Sequence, residues 1–299
     1  MVKIGITGAS GFVGMNLQNY LKSFYDLNLM SVRYKFDQKF YIKTDVIIHL
    51  AGKAHDLTKV SNPTEYYEAN FELTKQLFDS FLESNVSVFI FMSTVKAAAD
   101  SIIDVLNEHI APDPRTHYGK AKLQAEEYIL SKEIPTGKKV YILRPCMIHG
   151  PGNKGNLNLL YSFVSKGFPW PLGAFENQRS FLSIGNLCFV IKELLVQQNI
   201  PSGIYNVADD EPLLTNELIR LIAVSQNKRA RKFHISKNLI RGLAKLGDHL
   251  HLPLNSERLK KLTENYVVSN AKIKQAIGKQ FPVSAKEGLL RTFESFRKV

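Results

Sequence analysis

Tyr118 and Lys122 stand four residues apart, a spacing that a helix presents on one face. A phenol titrates near pH ~10 when left to itself, and a neighbouring ammonium favours the phenolate. The pair therefore predicts a tyrosine of lowered pKa, able to pass a proton to or from a hydroxyl near neutral pH. A third group, Thr94, comes near the end of the apolar run V-S-V-F-I-F-M-S-T-V-K (86–96). Read as a buried strand, that run leaves Ser93 and Thr94 at its carboxyl end, where doubly wound sheets place their ligands. A hydroxyl there can hydrogen-bond a reacting oxygen. Tyr and Lys four apart also recur by chance, and Ser-Thr pairs often cap turns. These residues gain force from the elements that position them.

The first such element is the amino-terminal run V-K-I-G-I-T-G-A-S-G-F-V-G (2–14). An apolar, partly β-branched strand leads straight into a glycine-rich turn, and a helix is expected from Phe12 to Phe24. Gly8 suits the tight turn, Gly11 lets a pyrophosphate approach the backbone, and Gly14 lets the helix pack closely. The helix start offers free N–H groups and a positive dipole end to phosphate. The second element is T-H-Y-G-K-A-K-L-Q-A-E-E-Y-I-L (116–130), an expected helix with Leu123, Ile129 and Leu130 inward. Asn62-Pro63-Thr64 opens another, through Leu82, with Pro at an N-terminal position. Thr215 and Ser236 are expected N-caps, and Ser284 with Glu287 is a capping-box pattern.

At this point the chain resembles a known family. T-G-A-S-G-F-V-G, D-V-I-I-H-L-A-G, Asn70, F-M-S-T-V-K, Y-G-K-A-K and L-R-P-C-M-I-H-G-P-G follow one another as in the extended short-chain dehydrogenase/reductases. More narrowly, it looks like the nucleotide-sugar epimerases and 4-ketoreductases of bacterial polysaccharide synthesis. G-P-G-N-K-G-N, K-G-F-P-W-P-L-G, Q-R-S-F-L-S-I-G-N-L and Y-N-V-A-D-D-E-P-L-L-T-N-E-L carry that likeness through the second half.

The resemblance implies an α/β fold: a doubly wound parallel (Rossmann) sheet with a smaller α+β C-terminal substrate lobe. The expected cofactor domain spans 1–150 plus about 181–207, and the substrate lobe 151–180 plus 208–299. By the same resemblance Gly8, Ser10, Gly11, Phe12 and Val13 wrap the pyrophosphate of NAD or NADP. Leu50, Ala51 and Gly52 line the adenosine side, with Asn70 nearby. Ser93, Pro145, Cys146 and Met147 lie by the nicotinamide, and Lys122 grips its ribose. Thr94 and Tyr118 face the sugar C4 oxygen. Asn156 and Arg179 hold the diphosphate of a UDP-sugar, and Lys96 belongs to the substrate side. A homodimer is implied. No metal is expected.

Some positions depart from the family pattern. Lys96-Ala97-Ala98-Ala99 follows Thr94 where relatives carry an aromatic or Asn and then Gly, and Ala121 replaces a common Ser. The stretch 30–44 is short; Phe40-Tyr41-Ile42 is an expected minimal strand with no matching Asp after it. The end of strand two reads Ser31-Val32-Arg33. An acid there binds a ribose 2′-hydroxyl, whereas Arg accommodates a 2′-phosphate, so Arg33 favours NADP. Two enzymatic readings follow. One is NADPH-dependent reduction of a UDP-4-keto-6-deoxy-N-acetylhexosamine, which Arg33 and the resemblance favour. The other is UDP-hexose or UDP-N-acetylhexosamine 4-epimerisation with tightly held NAD. A non-catalytic dinucleotide-binding interaction module is the outside alternative.

Composition sets the frame. The 299 residues are 44% hydrophobic and carry two cysteines, which suggests no disulfide framework. No run reaches transmembrane length. The first strand begins at once, so no signal peptide is expected and a cytoplasmic enzyme follows. The net charge of +12 gathers in N-K-R-A-R-K (227–232), Lys237, Arg241, Lys245 and E-R-L-K-K (257–261). No nucleic-acid module accompanies it. It reads as a solvated basic face, with weak attraction to an anionic membrane surface as the alternative.

Overall fold

The computed structural model describes residues 1–53, 62–250 and 255–297. Six parallel strands form the main sheet: β1 (Lys3–Thr7), β2 (Asp26–Met30), β3 (Val46–His49), β4 (Val88–Met92), then, after the short β5 (Val105–Leu106), β6 (Lys139–Pro145) and finally β10 (Gly203–Val207). Their order is β10-β6-β4-β3-β1-β2. Three two-stranded pairs complete the strands. These are β7 (Met147–His149) with β9 (Phe181–Ser183), β8 (Gln178–Arg179) with β11 (Leu213–Leu214), and β5 with β12 (Val267–Val268).

The strands alternate their side chains between two cores, as a sheet covered on both faces must. Ile4, Ile6, Val46, Ile48, Ile90, Met92, Tyr141 and Leu143 enter one core. Ile47, Phe89, Phe91, Val140 and Ile142 enter the other. Helices α1 (Phe12–Leu21), α6 (Ile184–Val196) and α10 (Ala271–Ile277) cover the first face, and α3 (Leu73–Glu83) and α4 (His117–Leu130) the second. The short α2 (Thr64–Tyr67) runs through a π-turn (Glu68–Glu72) into α3. A separate apolar cluster is built from α5 (Asn156–Ser165), α7 (Thr215–Ser225), α8 (Lys237–Leu250), α9 (Ser256–Thr263) and α11 (Ala285–Phe296). The fold is the doubly wound sheet with a smaller second lobe that the sequence predicts.

Several local expectations change. The first helix stops at Leu21, not Phe24, where Tyr25 and Phe24 N–H groups both fold back onto the Leu21 carbonyl. Phe40-Tyr41-Ile42 makes no strand. Phe40 and Ile42 pack on the second core while Tyr41 stays 85% exposed, so the alternation is used without a hydrogen-bond ladder. The Phe40 N–H instead donates to Ser80 Oγ on α3. Leu130 is exposed, because the inward row of α4 is Ala121, Ala125 and Ile129. Leu214, not Thr215, is the N-cap of α7; the Thr215 hydroxyl accepts from Asn177 Nδ2. Ser284 does cap α11, accepting from the Glu287 N–H. The segment Phe181–Ser183 pairs with β7 rather than joining the main sheet.

Gly8 has φ +65°, and a Cβ there would lie 2.7 Å from the Ala51 nitrogen and 2.8 Å from the Leu50 carbonyl carbon. Gly137 shares the positive φ, at +87°, with nothing within 4 Å of an added Cβ. Gly137→Ala therefore carries the backbone cost alone, about 1–2 kcal/mol, and Gly8→Ala carries that cost plus backbone crowding. Denaturant titration is expected to place Gly8→Ala below Gly137→Ala in stability. Equal midpoints would show that the Gly8 turn relaxes freely.

Candidate functional site

The chain leaves β1 for β2 on one side and returns through β3 on the other, so a crevice opens beyond the carboxyl ends of β1 and β3. One hydroxyl ties its walls together. Thr7 Oγ1 accepts from the Leu50 and Ala51 N–H groups, each at 3.1 Å. Its own proton must then go to His49 Nδ1, 2.7 Å away. That fixes the His49 tautomer, with Nε2–H donating to Thr74 Oγ1 at 3.0 Å. Thr74 in turn donates to the Asn70 carbonyl. Every polar atom of the chain of bonds is satisfied with a neutral ring. Burial, reinforced by the Lys122 charge, pushes the His49 pKa down to about 3.

Asn70 continues the wall. It sits in the π-turn, fully buried, and clasps Lys53 by both its backbone groups, accepting from N–H at 3.1 Å and donating to the carbonyl at 3.0 Å. Gly52 passes so close that a Cβ would lie 2.5 Å from Asn70 Oδ1 and 3.2 Å from Lys122 Nζ. Leu50, Ala51, Gly52 and Asn70 thus line one side of the crevice, and Gly8 touches it from the other. Gly14 lets α1 seat on the turn: its Cβ would fall 2.4 Å from the Gly8 carbonyl oxygen. Ser10 and Gly11 are exposed at the helix mouth, with Phe12 and Val13 half-buried behind them. No side chain caps α1, so the first N–H groups point out of its end.

Helix α4 begins at the Thr116 cap, whose hydroxyl accepts from the Gly119 N–H, and it sets Tyr118, Lys122 and Glu126 on one face. Thr94, at the end of β4, hydrogen-bonds the Tyr118 side chain. The ring of Tyr66 lies 6.5 Å from that of Tyr118. The expected lowering of the tyrosine pKa is reversed: burial pushes Tyr118 up to about 12, against the Thr94 hydrogen bond. Lys122 does not supply the lowering, because its ammonium donates to the Met92 carbonyl at 2.8 Å and stands over the Phe91 ring. Burial pushes Lys122 itself down to about 7, with Glu126 opposing.

Glu126 and Arg144 escaped the sequence reading as functional residues. Both are buried; Arg144 Nε donates to both Glu126 oxygens at 3.0 Å, and Nη2 donates to Oε2 as well. Ser93 Oγ also donates to Glu126. Ser93 therefore braces the carboxylate from below the site. The missed signal was a second step of four residues, from Lys122 to Glu126, continuing the Tyr118–Lys122 spacing. Pro145, the last residue of β6, and Cys146 just beyond it are buried and Met147 is half-buried, with the Cys146 N–H bonded to the Val207 carbonyl. Burial pushes the Cys146 thiol well up, as befits a small hydrophobic filler.

On the other side, Lys96 leaves the turn after Thr94, donates to the Asp100 carbonyl and stands 4.2 Å over the Tyr266 ring. Its charge is felt by Arg179, Lys261, Asp100 and Glu264. Arg179 donates to the Lys261 carbonyl and lies 3.9 Å from Glu264. The structure thus brings Lys96 and Arg179 into one cluster. Tyr266, unseen in the sequence, joins them and donates to the Ala99 carbonyl at 2.6 Å. Asn156 is exposed at the start of α5 and stands outside this bonded cluster. Strand β2 ends at Met30, so Arg33 is not a strand-end residue; it lies exposed three positions beyond.

The bare glycine turn, the uncapped end of α1 and the cleft between Gly8 and Gly52 fit a dinucleotide. Gly8, Ser10, Gly11, Phe12 and Val13 would hold its diphosphate.

A lysine whose folded pKa is about 7 and whose free value is 10.5 binds fewer protons folded than unfolded between those limits. Stability then rises with pH across that window, by about 1.4 kcal/mol per unit for this group. Lys122→Met is expected to flatten that rise in ligand-free protein, read by denaturant midpoints from pH 7 to 10. Parallel pH curves for the two proteins would show Lys122 charged in the folded state throughout.

Comparison with known proteins agrees with this geometry. The chain is 28% identical to the UDP-glucose 4-epimerase of Vibrio cholerae, over 97% of this chain and 94% of that one. It is 29% identical to the N-acetyl-alpha-D-glucosaminyl-diphospho-ditrans,octacis-undecaprenol 4-epimerase of Escherichia coli O157:H7, over 90% and 84%. The UDP-glucuronic acid 4-epimerase of Bacillus cereus, solved in complex with NAD, shares the fold with a TM-score of 0.76, 19% identity and 99% of each chain covered. The profile of the NAD dependent epimerase/dehydratase family matches residues 4–208. With the glycine turn, the crevice and the α4 face all inside that span, the chain belongs to this family and is an enzyme working with NAD or NADP.

Proposed function

We propose that the protein carries out oxidoreduction at C4 of a nucleotide sugar. The observation that carries this reading is the Thr94–Tyr118 hydrogen bond at the carboxyl end of β4, with Lys122 buried on the same helix face. Thr94 orients the C4 oxygen, and Tyr118 gives it a proton or takes one. Lys122 holds the nicotinamide ribose, and Arg179 with Asn156 and Lys96 holds the substrate diphosphate side. A bound nicotinamide supplies hydride exchange at the sugar carbon. The cofactor lobe (1–150 with 181–207) and the substrate lobe (151–180 with 208–299) are part of the same proposal.

Reduction of a UDP-4-keto-6-deoxy-N-acetylhexosamine is the finer reading. A phenol pushed up to about 12 is protonated at neutral pH, and so is ready to donate to a carbonyl oxygen as it becomes a hydroxyl. The second reading is 4-epimerisation of a UDP-hexose or UDP-N-acetylhexosamine; the name of the Vibrio cholerae relative favours a UDP-hexose, and that of the Escherichia coli relative favours 4-epimerisation, though of a lipid-linked sugar diphosphate. In that cycle Tyr118 must first accept a proton.

Tyr118→Phe is expected to keep the fold and nucleotide binding while turnover falls by at least ~10². The assay is C4 turnover on a panel of UDP-sugars and their 4-keto derivatives with both cofactors. Thr94→Ala is expected to be milder and Thr94→Ser nearly silent. Near-normal turnover in Tyr118→Phe would remove its proton-transfer role. Cofactor released on denaturation separates the readings: stoichiometric NAD marks the epimerase, and reversible NADPH binding to emptied protein marks the reductase.

Arg33 bears on the same choice. Arg33→Ala is expected to weaken NADPH about tenfold or more and to leave NADH unchanged. Titration of both dinucleotides checks this; equal effects on the two would end the selectivity role.

A further inference from the structure

We propose that α8 and the basic segment leading into it form a docking surface for an anionic phospholipid bilayer. Leu239, Leu243, Leu246 and Leu250 are 58%, 46%, 53% and 59% exposed. Their spacing of four, three and four residues puts them on one ridge of α8. Ile240, Ala244 and Gly247, which are buried, seat the helix on the second lobe along a different line. The ridge is therefore surplus to the fold. Lys237, Arg241 and Lys245 occupy the opposite, polar side and are exposed. A short helix with an aliphatic ridge and a Lys/Arg-rich polar side lies in the plane of a membrane interface. No helix among the described residues is long and apolar enough to cross one.

Charge complementarity selects the occupant. Residues 227–262 hold ten Lys and Arg against two Asp and Glu, eight of the chain's twelve net positive charges. Both acids are engaged locally: Asp248 accepts from the Ser256 N–H and hydroxyl, and Glu257 pairs with Lys261. Directly before α8, Lys228, Arg229 and Arg231 line a depression of about 500 Å³ whose other walls include Val164 and Phe168. Cations at the rim and hydrocarbon on the walls match a phospholipid headgroup above its acyl chain. Phe168 and Phe233 are 55% and 56% exposed beside this run. A second copy of the chain would bring the same positive charge to the contact and be repelled. An anionic bilayer gains from both the leucines and the cations.

The test is flotation of the full-length protein with vesicles of mixed phosphatidylglycerol and phosphatidylcholine, and with phosphatidylcholine alone. Binding is expected to the anionic vesicles, to weaken in high salt, and to be slight on the zwitterionic ones. Leu243→Asp combined with Leu246→Asp is expected to lower the partition about tenfold or more, with the melting curve and turnover on a soluble nucleotide sugar unchanged. Replacing Lys237, Arg241 and Lys245 by Gln, which spares the ridge, is expected to remove most of the salt-sensitive part. Failure of the wild-type chain to float, equal binding to both vesicle types, or full binding by the leucine variant would overturn the proposal. So would a dimer, without vesicle binding, that Leu243→Asp takes apart.

Discussion

The arrangement of the site rests on one carboxylate that has no water around it. Glu126 is buried inside the first lobe, and an isolated charge there would be driven to neutrality. Arg144 from β6 meets it through two nitrogens, and Ser93 from the end of β4 gives it a further proton donor. A helix, two strands and the residue beside Thr94 are locked together by that single group. Removing either partner of such a pair leaves the other unpaired and typically costs about 3–5 kcal/mol. One turn before it on α4, Lys122 feels the carboxylate without owning it, because Arg144 already holds the strong contacts. The ammonium is left to the Met92 carbonyl and the cleft, with a pKa close to neutral.

The crevice opposite is built by a different economy, in which no charge is used. Thr7, His49, Thr74 and Asn70 pass hydrogen bonds from β1 to β3 and on to the π-turn. Neutral groups with every donor and acceptor paired are rigid in a dry interior and do not respond to salt. One wall of the cleft is therefore fixed by neutral bonds and the other by a compensated ion pair. The Tyr118 phenol stands near the second, with Thr94 as its partner.

What could be read from the chain was what is local. The glycine turn, the strand ending in Ser93-Thr94 and the Tyr118–Lys122 step are each set by a few neighbouring residues. Apart from helix ends such as Leu21 and Leu214, the misreadings concern tertiary choice. Leu130 reads as inward by type, yet the alanines of α4 set the contact row against the sheet. Phe40 and Ile42 read as strand by alternation, yet a hydroxyl of α3 takes the backbone donor that a ladder would need. The lowered tyrosine pKa assumed that a lysine four residues away acts mainly on the phenol. Burial of both groups, which no spacing reveals, outweighs that. Glu126 gave no signal of its own because its partner Arg144 lies eighteen residues on, in β6.

The irregular stretch between Met30 and β3 has a bearing on time rather than on chemistry. An epimerase keeps one dinucleotide through many cycles, whereas a reductase must trade its dinucleotide at every turnover. Residence is governed by how firmly the half of the molecule remote from the reacting ring is gripped. Here the chain crosses after β2 without a helix or strand of its own, tethered to α3 by the Phe40 N–H and the Lys35 carbonyl. An exposed Lys39–Glu83 ion pair and the packing of Phe40 and Ile42 complete a light latch. A change confined to that crossing would leave Thr94, Tyr118 and Lys122, which stand on other elements, in place, so either cycle could be reached without touching them.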